Sequence, residues 1–184
     1  IRFSSNLNLN YPNLSYHILI DILESKIKNS SAIDSYIIPT PDSLVIHLRT
    51  GDIIDNTSYD INDILSGKIN KHPNTNNYYD NNCKNYVKSL NYYRSLSKYY
   101  HNFNKVVIVS GFNSNSNHNK SINYINKIKQ YFESLNKNVI LRLNHEADKD
   151  FIFMCYSKFF ISSGGGFSSI IADIVKLKLG TVLK

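Results

Sequence analysis

The stretch "SLVIHLRTGD", residues 43–52, places a histidine and an arginine in what otherwise reads as a buried apolar strand. His47 and Arg49 are two residues apart, so on a strand both side chains emerge on the same face. "TGD" then turns the chain, which puts both at the strand's carboxyl end. A guanidinium there offers five donors in a fixed fork, the geometry that suits bidentate capture of a phosphate. The plainer alternative is a brace between Arg49 and Asp52. For His47 the choice is between joining such an anion site and sitting as an ordinary partly buried ring. A second segment, "SSGGGFSS" at 162–169, follows an apolar run and precedes a helical pattern. Glycines allow backbone N–H groups to approach a ligand closely, and a helix start adds positive potential. Gly166, Phe167, Ser168 and Ser169 therefore form a candidate diphosphate cradle. Its alternative is a serine-capped helix behind a tight turn.

Other chemistries have weaker support. The segment lacks the third glycine of a dinucleotide fingerprint, and no P-loop occurs in the chain. "DKD", Asp148–Asp150, has the form of a metal-binding Asp-x-Asp pair, but acidic residues also stand at helix starts for electrostatic reasons. Only His145 and Glu146 stand nearby at ligand spacing, too few convergent oxygens for a hard cation, so no metal and no cofactor is expected. Neither a GxSxG elbow nor HExxH is present, which removes the common hydrolase signatures. Tyrosines are concentrated between residues 78 and 100. Helix core accounts for most of them, and a stacking surface for sugars or bases is the alternative.

These residues need elements to position them. Apolar spacing predicts a helix over 14–28, and strands follow at 43–49, 105–110, 138–143 and 158–162. Further helices are expected over 85–101, 120–135 and 149–156. A last helix follows the glycine loop and stops at Gly180, and "TVLK" begins another strand. Residues 50–83 read as a long polar loop with a short helix near "DINDIL", and "FNSNSNHN" reads as a low-complexity loop. Short apolar strands alternating with helices of ten to sixteen residues predict an α/β fold, a Rossmann-like parallel sheet with helices on both faces. Residues 1–184 are read as one domain, with 1–42 as helix and lead-in and 43–184 as the core. Ligands of such sheets bind beyond the carboxyl ends of the strands, where His47, Arg49, Ser110, Gly111 and the 162–166 loop all fall.

Composition sets outer bounds. The chain has 184 residues, 42% of them hydrophobic, and a net charge of +7. Its lysines are dispersed without a dense basic run, so no nucleic-acid partner is expected and an anionic ligand is. No run of 18 apolar residues occurs, so no membrane span is predicted. The start, without methionine or signal-peptide pattern, reads as a fragment or a processed product. Two distant cysteines, Cys83 and Cys155, give no disulfide framework and favour a reducing, cytoplasmic setting.

Taken in order, two segments resemble one family. "VIHLRTGD" is similar to the His-x-Arg-Arg-x-Asp motif of the α1,2-, α1,6- and protein O-fucosyltransferase superfamily. "DFIFMCYSKFFISSGGGFSSIIADIV" resembles that superfamily's C-terminal motif, in which an acidic residue opens a helix, a strand follows and a Phe-Ser-Ser turn starts the next helix. The resemblance covers about residues 43–175. It implies the nucleotide-sugar-binding half of a GT-B glycosyltransferase that inverts the anomeric centre without metal. It implies GDP-fucose as donor and a glycan or protein hydroxyl as acceptor. Carried over, Arg49 holds the β-phosphate, His47 contacts the nucleotide or steadies the loop, and Asp150 meets the guanosine. Ser168 and Ser169 match the turn that holds the diphosphate. Asp52, on position alone, is the candidate base. The chain departs from the pattern at Thr50, which stands for the second motif arginine, and at "SGFNSN", which replaces an acidic pair. The acceptor half is expected from a missing N-terminal domain or a partner chain. Another nucleotide-sugar donor and a non-catalytic glycan- or nucleotide-binding remnant are the alternatives.

Overall fold

The structure is a computed structural model that describes residues 12–29, 38–112 and 119–184. These divide into two units, Ile1–Ile37 and Ile38–Lys184. In the first, helix α1 (Pro12–Asn29) matches the periodicity at 14–28. Proline at its first position is favourable, because the missing N–H is one that no helix start can satisfy internally.

The second unit is built on five parallel strands: β1 (Ser43–His47), β2 (Lys105–Ser110), β3 (Asn138–Leu143), β4 (Phe159–Ile161) and β5 (Thr181–Leu183). Their order across the sheet is β3-β2-β1-β4-β5. The chain therefore winds outward from β1 to β3, then crosses back to lay β4 on the other side of β1. Parallel strands need covered faces, and β1 shows why its sequence has no polar alternation. Leu44 and Ile46 face one way and Val45 the other, and all three are fully buried. Leu44 and Ile46 join the main core with Val106, Ile108, Tyr124, Ile128 and Phe132. Helix α6 (Asn119–Ser134) packs on β2 and β3, while α8 (Gly165–Leu177) packs on β4, β5 and α7 (Ala147–Cys155).

Several boundaries differ from expectation. The polar stretch 50–83 contains the short helices α2 (Asp52–Asp55) and α3 (Ile61–Ser66), a 3₁₀ turn at Lys68–Lys71, and most of α4 (Tyr78–Tyr86). It is held by the buried Asp80 carboxylate, which accepts bonds from Thr57 Oγ1 at 2.7 Å, Ser58 N at 2.7 Å and Ser58 Oγ at 2.8 Å. The single helix expected over 85–101 is instead α4, then α5 (Leu90–Ser95), then a 3₁₀ turn at Ser97–Asn102. Val87 is extended, and the Ser89 hydroxyl accepts from Tyr92 N–H to start a new helix. Serine favours that capping role over a helix interior.

Gly180 is not the left-handed stop. Leu179 takes that conformation at φ 62°, although it carries a side chain. Gly180 serves close approach instead: a Cβ there would stand 2.7 Å from Val175 Cγ1 and 2.8 Å from the Ser157 carbonyl oxygen. The expected loop at 112–119 lies, apart from its two ends, outside the described residues.

Candidate functional site

The sheet's change of direction, between β1 and β4, leaves a crevice at the carboxyl ends of the strands, the usual ligand position in such folds. A cavity of about 510 Å³ lies there. His47 ends β1, and Arg49 follows two residues on, outside the strand expected to reach it. Val109 and Ser110 come from β2 with Gly111 just after, and Gly164–Phe167 from the turn after β4 and the start of α8. Helix α7 contributes Asp150 and Met154, with His145 just before it. Helix α4 contributes Tyr78, Asn82 and Tyr86.

Register explains why residues so distant in sequence meet. His47 pairs with Val109 across β1 and β2, and Ile46 pairs with Ile161 across β1 and β4. The residues immediately after Ile161 are therefore level with His47. Ser163 Oγ lies 2.9 Å from His47 Nδ1, joining the two strand ends. The imidazole also packs against Phe167, with ring centroids 5.6 Å apart and planes tilted by 59°. Burial, reinforced by the charge of Arg49, lowers the His47 pKa to about 4. His47 is thus a neutral ring at pH 7.

Arg49 is half exposed, and its Nη2 donates to Asp52 Oδ1 at 3.1 Å. This is one bond from one nitrogen, short of a bidentate pair. Among the residues lining the cavity, Arg49 is the one with a permanent positive charge. Asp52 begins α2 and is not part of the cavity wall. Next along the chain, Thr50 is buried, and its Oγ1 lies 2.7 Å from Ser110 Oγ, which also donates to the Leu48 carbonyl at 3.0 Å. Thr50 thus ties the end of β1 to β2 and brings no charge to the cavity.

The glycine turn brings backbone to the cavity wall. Gly164 and Gly165 have φ of 95° and 76°, conformations that a side chain would strain. Gly164 precedes α8, whose start has no side-chain cap. Its first-turn N–H groups and positive dipole end stand at Gly165, Gly166 and Phe167, all on the cavity wall. Ser168 and Ser169 are not brought there. Ser168 is fully buried with its hydroxyl 2.7 Å from Ser162 Oγ, and Ser169 is exposed off the wall.

Asp150 sits on the wall while accepting a 2.6 Å bond from Arg142 Nε. Burial pushes its pKa upward against the opposing effect of Arg142. Asp148, by contrast, is exposed. The two carboxylates of "DKD" therefore have different environments. Among the described residues, no group of three or more His, Cys, Asp or Glu could hold a metal ion. Sequence reasoning missed Arg142, whose guanidinium also lies 4.6 Å from the Phe153 ring centre. The signal was available: a charged residue in "NVILRL" interrupts a strand as His47 and Arg49 do. It also missed the cavity-facing stripe on α4.

No family model matches the sequence, and no curated protein matches it. Among solved structures, the chain is similar to POFUT1 in complex with GDP, with a TM-score of 0.42 and 14% identity, covering 85% of this chain and 43% of that one. A second POFUT1 structure, in complex with GDP-fucose, gives a TM-score of 0.42 and 13% identity, with coverage of 85% and 42%. The chain spans less than half the length of these solved chains.

Proposed function

We propose that this chain is the donor-binding part of a glycosyltransferase that takes its sugar from a nucleoside diphosphate, with GDP-fucose the favoured donor. The reading is carried by one observation: Arg49 and the uncapped start of α8 line a single cavity at the crevice of a parallel sheet. A guanidinium and a helix N-terminus together favour a diphosphate, and they stabilise it most as charge grows on it during departure. Arg49 would carry that role, and Asp52 would orient the guanidinium through their 3.1 Å bond. His47 would hold the two strand ends together and present a neutral ring to the nucleotide. Asp150 would accept from N–H groups of the base. Transfer to a glycan or protein hydroxyl would proceed with inversion and without metal, the acceptor being held by a part of the protein beyond this chain.

Calorimetric titration with GDP tests the reading. Arg49→Ala should weaken binding by about 1.5–3 kcal/mol, roughly ten- to a hundredfold, the usual scale for charge-assisted hydrogen bonds. Absence of binding to the unaltered chain, or an unchanged affinity in the variant, would refute it. One observation favours a second reading, a nucleotide-binding module without catalysis. Thr50 is committed to Ser110, so the β1 turn supplies one cation where the resembling motif has two. Donor hydrolysis by the GDP-binding protein separates the two readings.

A further inference from the structure

The cavity has two unlike side walls. On the α7 side, Met154 is fully buried and Asp150 nearly so. His145 and Ala147 at its rim are exposed, so the buried part is a floor that pairs an apolar side chain with an acceptor-only carboxylate, which suits a planar base with N–H donors. On the α4 side, Tyr78, Asn82 and Tyr86 are spaced by four residues, so they form one stripe along a helix face. Tyr86 anchors this stripe to the phosphate turn: a Cβ on Gly164 would stand 3.3 Å from Tyr86 Cδ1. Moving away from that turn, Asn82 lies one helical turn out, about 6 Å along the axis, and Tyr78 about 12 Å out. Tyr78 is 66% exposed, so this end of the wall opens to solvent. The Asn82 amide nitrogen donates to the Tyr78 carbonyl at 2.7 Å, while its amide oxygen makes no hydrogen bond among the described residues.

We propose that the Tyr78–Asn82 stripe is the sugar-side subsite of the cavity, and that the α7 wall takes the base. This rests on the nucleotide-sugar reading above and adds the direction in which the donor lies. With its diphosphate at Arg49 and the start of α8, the donor must send base and sugar to opposite sides. With the base on the buried α7 floor, the sugar belongs on the α4 wall, whose outer end at Tyr78 is exposed to an acceptor. There Tyr78 offers an aromatic face to the C–H surface of a pyranose, and Asn82 Oδ1 accepts from a hydroxyl. Core packing does not explain the tyrosine, because an exposed ring at the first position of a helix adds little to the interior.

The test compares GDP with GDP-fucose and GDP-mannose, and UDP with UDP-glucose, by calorimetry on the unaltered chain and on Tyr78→Ala/Asn82→Ala. Both positions lie outside the core, and circular dichroism verifies that the variant is folded. The nucleoside diphosphate should bind within about twofold of its original affinity, while its sugar-bearing form should weaken about fivefold or more, close to 1 kcal/mol. Tyr78→Phe, which retains the aromatic face, should recover most of the loss attributed to that residue. Equal weakening of both ligands, or no weakening of either, overturns the subsite while leaving the donor reading intact. If no nucleotide binds the unaltered chain, the donor reading fails and this inference fails with it.

Discussion

His47 Nδ1 and Ser163 Oγ lie 2.9 Å apart, although 116 residues separate them in the chain. This contact joins the end of β1 to the glycine turn after β4, the two edges of the crevice. It also places a titratable ring where protonation is costly.

The first prediction concerns pH. His47 has a folded-state pKa of about 4, below the ordinary 6.5, through burial and the nearby Arg49 charge. Between these values the unfolded chain binds a proton that the folded chain does not. The contribution of His47 therefore lowers stability as pH falls from 6.5 toward 4 and changes little below that. The loss should approach about 3 kcal/mol. Urea midpoints measured across this range should show the slope, and His47→Asn should flatten it. An equal slope in the variant would assign the effect to other groups.

A second prediction separates pairing from burial. Arg142→Leu leaves the Asp150 carboxylate buried without its 2.6 Å partner and should cost about 3–5 kcal/mol in urea unfolding. Arg142→Met combined with Asp150→Leu should recover most of that, because the penalty comes from the orphaned charge. If the double variant is as unstable as the single one, packing of Arg142 on Phe153 is the larger contribution.

The turn after α8 gives a pair of opposite effects. Gly180→Ala should destabilise by about 1–3 kcal/mol, since the added methyl overlaps Val175 and Ser157. Leu179→Gly should stabilise by about 0.5–1 kcal/mol, since Leu179 holds a left-handed backbone while its side chain is 94% exposed. Thermal midpoints moving in the same direction for both would contradict this account of the turn.

Metal dependence makes a fourth test. Asp148 is exposed and Asp150 is bonded to Arg142, so the pair lacks a shared site for a cation. Treatment with EDTA should leave nucleotide affinity unchanged. An Mn²⁺ or Mg²⁺ requirement, lost in Asp148→Asn, would show that a bound nucleotide supplies the remaining ligands.

The central strands were legible in the sequence because they are buried on both faces and appear as short apolar runs such as "VVIV" and "FFI". The polar residues that end those runs located the crevice: His47 is the last residue of β1, and Arg49 lies just beyond the strand that was expected to carry both. What sequence could not show was the fate of individual hydroxyls and tyrosines. Ser168 and Ser162 satisfy each other, and only three-dimensional proximity reveals that. The α4 stripe was hidden by a misplaced boundary: a helix drawn from residue 85 separates Tyr86 from Tyr78 and Asn82. The capping oxygens of Asn77 and Ser89 set the true limits, and asparagine and serine are too common in this chain to stand out.

The strand order also bears on how the protein is made. β1 meets β2 some sixty residues after it is synthesised, but Phe159, the partner of Leu44, follows more than a hundred residues later. Until β4 arrives, one hydrogen-bonding edge of the central strand β1 has no native neighbour. On the ribosome β1 therefore carries an open edge through most of synthesis, first alone, then paired with β2 alone, and only briefly, between Leu143 and Phe159, with all of β1 to β3 made. Gly165–Phe167 follow β4 in the chain, so the cavity wall is complete only after that edge has been closed.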